Sequence, residues 1–398
     1  MMSQMLFSEG SHYSIGLDHG EHLQREIENN LAMFWRSVQF MGYDQKTLIR
    51  SAMRNESLLR PGILEEIDGL AKGAGKEFQE LLAYNLYNGV VFPDECTVLF
   101  ALGEATASKE TVFLKNSDKV GGATLSGPNF YKNKEINVIL AVKGKNGNRI
   151  VGPAAAGSTG LKMGMNDKGV CVGTNIARTE ELASKKVDLT TLRAIDRAQL
   201  ARDALEKNTA MEAAQLIVAE VMKNPMSTPG NMEFVDAKEG IVMEGSYDRT
   251  AAEVVKNTIA SRSNCFVLMK DLNKWDEISS QSRYVRTQQL LRNNFGKIDR
   301  QKMIEFSMDH ENGPGPNSIC RHGTTPEEET SLAAAVMEVN SKQPEKSLIT
   351  LMIGKPCHSW RNPKAHVTLS MDVDPKTVPQ GLINGDIFKE VYTEEVKK

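Results

Sequence analysis

The sequence changes character at one point, close to residue 96. Before this point, apolar residues recur at intervals of three or four, which places them on one side of a helix. The clearest stripe consists of Leu23, Ile27, Leu31, Phe34 and Val38. After Pro93 the chain turns to short β-rich segments separated by Gly, Asn and Lys. We therefore predict a helical segment over residues 1–95 and a β-rich part over residues 96–398.

The part after residue 96 alternates between groups of strands and pairs of helices. The predicted strands are Thr97–Leu102, Thr111–Leu114, Ile136–Val142, Val170–Thr174, Glu233–Val235, Gly240–Glu244, Leu332–Val339, Ser347–Ile353 and His366–Met371. The predicted helices are Thr190–Glu206, Ala210–Met222, Ser282–Asn293 and Gln301–Met308. Strand groups separated by helix pairs predict an α+β fold in which two antiparallel sheets lie between helical layers.

Composition excludes several classes of protein. The chain has 398 residues and a net charge of −3, so it lacks the basic field that nucleic-acid binding needs. No stretch approaches the roughly 18 consecutive apolar residues of a membrane span, and Met1–Phe7 lacks the flanks of a signal peptide. Five widely spaced cysteines are not typical of a disulfide framework. We therefore expect a soluble, cytoplasmic protein with no nucleic-acid or membrane partner.

Cys96 lies where the helical segment meets the β-rich part. A lone cysteine at the start of a strand is usually a small buried hydrophobe, so the residue type alone does not indicate function. Its position does, because a cut between Glu95 and Cys96 would give one residue both a thiol and a new α-amine. An α-amine titrates near pKa ~8 and acts as a general base at neutral pH, while a thiolate is a strong nucleophile. One residue would then supply both nucleophile and base.

Polar residues near the ends of predicted strands are candidates for the rest of such a site. Asp118 follows the strand that begins at Thr111, which can bring it back beside Cys96 to orient a cationic amine. Asn175 and Asn264 lie at strand edges, and a carboxamide N–H stabilises an oxyanion without carrying a charge. Each of these residues, taken alone, is better explained by a polar turn.

No metal or cofactor site is predicted. Cys320, His322, Cys357 and His358 have suitable side chains, but the spacings Cys-x-His and Cys-His lack the paired geometry typical of zinc sites. No glycine-rich segment matches a phosphate-binding loop.

Taken together, these positions resemble the penicillin acyltransferase-like family of N-terminal-nucleophile (Ntn) hydrolases, over nearly the whole chain. The matching segments are Gly10–Gly16, His19–Glu21, Glu66–Gly75, Cys96–Thr97, Asn317–His322 and Gly354–Cys357. The resemblance implies a four-layer αββα sandwich of two antiparallel sheets. It also implies that residues 1–95 are a pro-segment, cut autocatalytically from a catalytic domain of residues 96–398. Length alone suggests two or three domains, whereas the resemblance implies one layered domain with a pro-segment packed on it.

The resemblance also implies the roles of the candidate residues. Cys96 is the implied nucleophile, and its freed amine is the implied base. Asp118 matches the carboxylate that holds this amine, and Asn175 and Asn264 match the asparagines of the oxyanion hole.

Arginine and lysine residues complete the implied site. Arg283 matches the active-site arginine of a Ser-Arg-aromatic motif, and Arg321 is a second candidate for that role. The sequence leaves open which of the two lines the site. Lys115 stands where many relatives have arginine, and Glu95 precedes the nucleophile where relatives often have glycine.

The implied reaction begins in an inactive precursor, a zymogen, with an N-to-S acyl shift that breaks the Glu95–Cys96 bond. Cys96 then attacks the carbonyl of a small non-protein amide or an acyl thioester, and the resulting thioester acyl-enzyme is released to water or to an amine. No metal and no organic cofactor take part, and the cleaved pro-segment stays associated as a partner. Hydrolysis versus transfer, the acyl and amine specificity, and whether the chain forms a homo-oligomer all stay open.

Two alternatives remain at this stage. The run Lys115-Asn116-Ser117-Asp118 is also similar to Ntn dipeptidases and secernin-like proteins, which would make the chain a dipeptidase-like hydrolase. A catalytically silent scaffold, in which Glu95 prevents maturation, is the alternative outside the enzyme class.

Overall fold

Two β-sheets and two groups of helices make up the computed structural model, which describes residues 4–93, 95–120, 137–184, 187–323, 328–363 and 365–378. In chain order the strands are β1 (Gln4–Gly10), β2 (Glu95–Ala101), β3 (Thr111–Val120), β4 (Asn137–Gly144), β5 (Arg149–Ala155), β6 (Met163–Asn166), β7 (Cys171–Ile176), β8 (Gly230–Val235), β9 (Gly240–Gly245), β10 (Thr250–Val255), β11 (Ile259–Arg262), β12 (Glu329–Val339), β13 (Leu348–Ile353) and β14 (His366–Ser370). The helices are α1 (His12–His22), α2 (Gln24–Phe40), α3 (Gln45–Asn55), α4 (Pro61–Ala74), α5 (Phe78–Val91), α6 (Glu180–Ser184), α7 (Arg197–Ala204), α8 (Ala210–Lys223), α9 (Ile278–Asn293), α10 (Arg300–Ser307) and α11 (Pro356–Ser359).

The strands form one sheet of eight and one of six. The larger sheet has the order β1-β4-β5-β6-β7-β8-β9-β10, and the smaller has the order β11-β2-β3-β12-β13-β14. Neighbouring strands are antiparallel throughout, except that β1 runs parallel to β4.

Three apolar interfaces hold the layers together. Between the two sheets, Val98 and Phe100 of β2 pack with residues of the larger sheet such as Val151. On the other face of β2, Leu99 and Ala101 pack with residues of α9 and α10. Helices α1 to α5, α7 and α8 pack on the outer face of the larger sheet. This alternation of buried side chains along β2 is expected of a strand that is covered on both faces. The predicted four-layer αββα arrangement is confirmed.

The prediction that residues 1–95 are helical is wrong for β1. Met5 of this strand lies in the core between the sheets, and Leu6 lies in the core under the helices. A short run that is buried on both faces has no alternating pattern, so periodicity does not separate it from the start of a helix. Residues 4–10 therefore join the larger sheet as an edge strand.

Two predicted helices have different starts in the structure. The helix predicted from Thr190 begins only at Arg197, because Asp196 caps it and Ile195 forms a β-bridge with Met226. The helix predicted to begin at Ser282 starts instead at Ile278. Ile136, the first residue of one predicted strand, lies outside the described residues. In the part of the chain that the structure describes, no helix combines the length and apolar character needed to cross a membrane.

Glycines bring α1 and α4 into close contact. A Cβ atom at Gly16 would lie 1.9 Å from the carbonyl oxygen of Glu66, and one at Gly69 would lie 2.0 Å from that of Tyr13. Gly20 and Gly73 are equally confined, at 2.4 Å and 2.3 Å from the carbonyls of Leu70 and Leu17. Because the neighbouring atoms belong to the backbone, no side-chain rotation would relieve the contact.

We expect Gly69→Ala to lower the free energy of unfolding by about 3 kcal/mol, because α1 and α4 must separate to admit the methyl group. Gly144→Ala is the matched control, since the nearest atom to a Cβ there is 3.8 Å away. The control should change stability by less than about 1 kcal/mol. Urea unfolding of both variants measures the difference. Equal midpoints would show that α1 and α4 are not packed this closely.

Candidate active site

Cys96 is the second residue of β2, at the centre of the fold. It pairs with Ser117 on β3 and is completely buried. Because side chains alternate along a strand, its thiol shares a face with Val98, which packs between the two sheets. Its backbone N–H lies in the plane of the sheet and donates to Asn264 Oδ1 at 3.4 Å. The thiol and the backbone nitrogen of Cys96 therefore face different neighbours.

Arg283 is the side chain that holds the backbone of Cys96. It lies in the second turn of α9, because this helix starts at Ile278 and not at Ser282. The completely buried guanidinium donates to the Cys96 carbonyl at 3.2 Å, to Thr97 Oγ1 at 2.8 Å and to Asn264 Oδ1 at 2.7 Å. Burial, followed by the neighbouring charge of Arg321, lowers the pKa of Arg283.

The two predicted oxyanion asparagines lie on neighbouring segments. Asn264 Nδ2 donates to the carbonyl of Ile176 at 2.7 Å, and Asn175 Nδ2 donates to the carbonyl of Ser263 at 2.5 Å. A carboxamide nitrogen carries two N–H groups, so each asparagine uses one of them on the backbone. Asn231 on β8 donates to the same Ser263 carbonyl at 3.0 Å. These contacts tie β7 and β8 to the residue that precedes Asn264.

Glu95 is the centre of a cluster of three arginines, which the sequence did not indicate. Its carboxylate accepts from Arg321 Nη1 at 2.6 Å and from Arg178 Nε at 2.5 Å, and Arg283 Nη2 lies 3.9 Å away. Burial alone would raise the pKa of Glu95, but Arg321, Arg178 and Arg283 outweigh it and lower the pKa to about 2. The residue before Cys96 is therefore a buried, ionised group.

Asp118 lies opposite Glu95 in the register of β2 and β3. Its Oδ1 accepts from Ser331 Oγ at 2.6 Å, and its Oδ2 is 3.7 Å from Arg321 Nη1. Burial raises the pKa of Asp118, although Arg321 and Arg283 act in the opposite direction. Both candidate arginines thus belong to this region: Arg283 contacts Cys96, and Arg321 lies between Glu95 and Asp118.

Lys115, a further candidate, lies on the same face of β3 as Ser117. It is opposite Val98 in the register and is completely buried. Its Nζ donates to the carbonyl of Lys162 at 2.6 Å, which directs the charge toward the larger sheet. Lys115 therefore lies on the strand next to that of Cys96, two residues from the partner of Cys96. Its ammonium group is bound to a backbone carbonyl.

Four side chains of types that bind metals come together around Cys320 and His322, the two neighbours of Arg321 in sequence. The ligand atoms of His310, Cys320, His322 and Cys357 all lie within 4.8 Å of one another. The sequence pointed to three of these residues, but not to His310. His358, the fourth of the possible metal ligands named from the sequence, is not part of this group. Its ring packs edge-to-face against that of His322, with ring centroids 5.7 Å apart.

Comparison with known families gives one extended match. The family model described as acyl-coenzyme A:6-aminopenicillanic acid acyl-transferase matches residues 105–350. This range contains Asp118, Asn175, Asn264, Arg283 and Arg321. Cys96 lies just before it. No curated protein matches the sequence.

Several solved structures are similar at low sequence identity. A Caenorhabditis elegans ortholog of N-acylethanolamine-hydrolyzing acid amidase is 17% identical with a TM-score of 0.39, covering 61% of this chain and 92% of that chain. Penicillin V acylase from Agrobacterium tumefaciens is 13% identical with a TM-score of 0.38, covering 65% and 83%. A conjugated bile acid hydrolase mutant from Clostridium perfringens is 14% identical with a TM-score of 0.42, covering 72% and 95%.

Proposed function

Because the chain belongs to the acyl-coenzyme A:6-aminopenicillanic acid acyl-transferase family, we propose that it is a precursor that cuts itself before Cys96 and then uses this cysteine as nucleophile. The protein is an enzyme of the Ntn-hydrolase type that acts on carbon–nitrogen (amide) bonds as a hydrolase or acyltransferase. The observation that carries the proposal is that two side chains hold the backbone of Cys96 by hydrogen bonds. Asn264 accepts from its N–H, and Arg283 donates to its carbonyl.

The proposed cleavage is an acyl shift within the precursor. The Cys96 sulfur attacks the carbonyl carbon of Glu95, a C–S bond forms and the C–N bond breaks. The thiol proton ends on the departing nitrogen, which becomes the α-amine of Cys96. Water then hydrolyses the thioester, giving the C-terminal α-carboxylate of Glu95 and a free Cys96 thiol. Asn264 accepts from the N–H of the Glu95–Cys96 peptide group, and Arg283 donates to the Cys96 carbonyl in the next peptide group, so the two contacts orient this stretch of backbone for the attack.

Turnover by the cut enzyme uses the same thiol. The new amine removes the thiol proton, and the sulfur attacks the substrate carbonyl to give a thioester acyl-enzyme. Asp118 lies one strand position from the amine and supplies the negative charge that holds its cationic form. Asn175 and Asn264 supply N–H groups for the tetrahedral oxyanion. Water or an amine then accepts the acyl group.

The family description names an acyl thioester and an amine, so we propose a small-molecule amide or acyl thioester as the substrate. All five cysteines are free in the structure, which fits the reducing conditions of the cytoplasm. The helices of residues 1–95 pack on the larger sheet, and we propose that this pro-segment stays bound after cleavage.

Denaturing mass spectrometry of the purified protein tests the proposal. We expect two fragments, one ending at Glu95 and the other beginning at Cys96. A single intact chain that turns over no amide or thioester substrate would favour the silent scaffold, with Glu95 held by its arginines.

We expect Asn175→Ala to lower kcat by about 10²–10³-fold, because one oxyanion donor is lost. Asn30→Ala is the matched control, since Asn30 is equally buried and donates to the carbonyl of Ala156 at 2.9 Å, outside the site. Steady-state kinetics on the processed enzymes separates the two variants. If both lose the same fraction of kcat, Asn175 acts on stability and not on the oxyanion.

A further inference from the structure

Four side chains converge on one point, three of them from the loop between α10 and β12 and the fourth from α11. His310 follows α10, Cys320 and His322 precede β12, and Cys357 lies in α11. His322 Nε2 lies 3.2 Å from His310 Nε2, 3.6 Å from Cys320 Sγ and 3.2 Å from Cys357 Sγ. All four ligand atoms fall within 4.8 Å of one another.

Hydrogen bonding does not account for this arrangement. An imidazole Nε2 has either one hydrogen or one lone pair, so it makes one hydrogen bond. His322 Nε2 nevertheless has three potential partners at 3.6 Å or less. A cation at the centre of the group would satisfy all four atoms at once.

The spacing is that of a tetrahedral zinc site. With Zn–N of about 2.0–2.1 Å and Zn–S of about 2.3 Å, a tetrahedron separates two nitrogens by about 3.3 Å and a nitrogen from a sulfur by about 3.5 Å. The observed separations of 3.2 Å, 3.6 Å and 3.2 Å lie close to these values. Two thiolates and two neutral imidazoles also balance the charge of a divalent ion.

The surroundings favour a closed site. Cys320 and Cys357 are buried, and His310 and His322 are half-buried. The loop that carries three of the ligands is folded back on itself, since Cys320 N–H donates to the Asp309 carbonyl at 3.1 Å and His322 N–H to the Pro314 carbonyl at 2.7 Å. Four protein ligands leave no open position for substrate, which is the arrangement of structural zinc.

We propose that His310, Cys320, His322 and Cys357 bind one zinc ion, and that this ion positions Arg321 in the active site. Arg321 stands between two of the ligands in sequence, so the ion fixes the backbone on both of its sides. Its guanidinium then holds Glu95 at 2.6 Å and lies 3.7 Å from Asp118. Spacing in the sequence did not predict this site, because the ligands meet only when the loop after α10 folds back on itself and lies against α11.

Metal analysis tests the binding. The full chain, expressed without a metal-affinity tag, is equilibrated with zinc sulfate, freed of excess ion and assayed by plasma mass spectrometry. We expect about one zinc per chain, and at least a tenfold lower content in Cys357→Ser and His322→Ala. Cys171 is a buried cysteine between the sheets, away from the cluster, so the Cys171→Ala control should keep its zinc. Replacement by cobalt should give the visible absorption of a tetrahedral thiolate site.

The proposal is overturned if the wild-type chain binds no zinc after this treatment. It is also overturned if the two variants retain the metal, or if intact mass shows a Cys320–Cys357 disulfide in place of it. A chelator should lower the Tm of the wild-type protein by about 10 °C and leave that of Cys357→Ser unchanged. Because these readouts do not use activity, they stand whether or not Cys96 is the nucleophile.

Discussion

We expect replacement of Cys96 by alanine to leave the chain in one piece and to remove its turnover. Without the sulfur there is no acyl shift to break the Glu95–Cys96 bond and no atom to form the thioester. Loss of a catalytic nucleophile lowers kcat by about 10⁶-fold, which here means no measurable activity. Denaturing mass spectrometry follows the cleavage, and a release assay with amide and thioester substrates follows the turnover.

Cys171→Ala is the matched control for this experiment. Cys171 is as buried as Cys96 and lies in the core between the same two sheets. Burial, followed by the charge of Asp236, raises the pKa of its thiol far above the ordinary value, so it supplies no thiolate. The control should be cut and active. A Cys96→Ala protein that is cleaved and turns over substrate would overturn the whole proposal.

The second large effect concerns the charge on Glu95. In a Cys96→Ala background, which keeps the chain uncut, we expect Glu95→Gln to lower the free energy of unfolding by about 3–5 kcal/mol. The change removes the carboxylate that the buried Arg321 and the half-buried Arg178 share. Glu329 and Asp118 remain near these arginines, but the buried cluster then holds more positive than negative charge, which is costly. Denaturant unfolding of the two proteins gives the difference.

The same pair of proteins should differ in pH dependence. Because the folded-state pKa of Glu95 is lowered to about 2 from 4.5, its carboxylate adds stability above pH 4.5 that is lost as the pH falls toward 2. A glutamine at position 95 does not titrate, so the Glu95→Gln variant does not lose this contribution to its free energy of unfolding in acid. The difference in free energy of unfolding between the two proteins should therefore become smaller as the pH falls. Glu104→Gln, an exposed acid paired with Lys109, should change little. A gap that is independent of pH would show that Glu95 is not held as an ion.

Much of the fold follows from local pattern in the sequence. The strands β8 and β9 and the helix α8 lie within a few residues of their predicted positions, because each has clear periodicity or a turn beside it. β1 could not be found in this way, since its partner β4 is far along the chain and its burial on both faces hides the alternation.

The site was only partly predictable for a related reason. Cys96 stands out in the sequence because it lies at a change of composition, and Arg283 was found through resemblance to a motif. Arg178 carried no signal, because it lies after β7 with nothing near it in sequence that points to Glu95. His310 was missed as a partner of Cys320 because loop folding, not spacing, brings them together.

The parallel pairing of β1 with β4 determines how the two products of cleavage would behave. Residues 4–10 occupy the edge of the larger sheet, and α1 to α5 bury its outer face. A cut before Cys96 would therefore yield a heterodimer in which the smaller subunit supplies one strand of the larger sheet and most of the helices that cover it. Removing that subunit would expose an unpaired strand edge and a broad apolar surface, both of which promote aggregation. Production of residues 96–398 alone should yield insoluble material, whereas co-expression of the two pieces should restore a soluble complex.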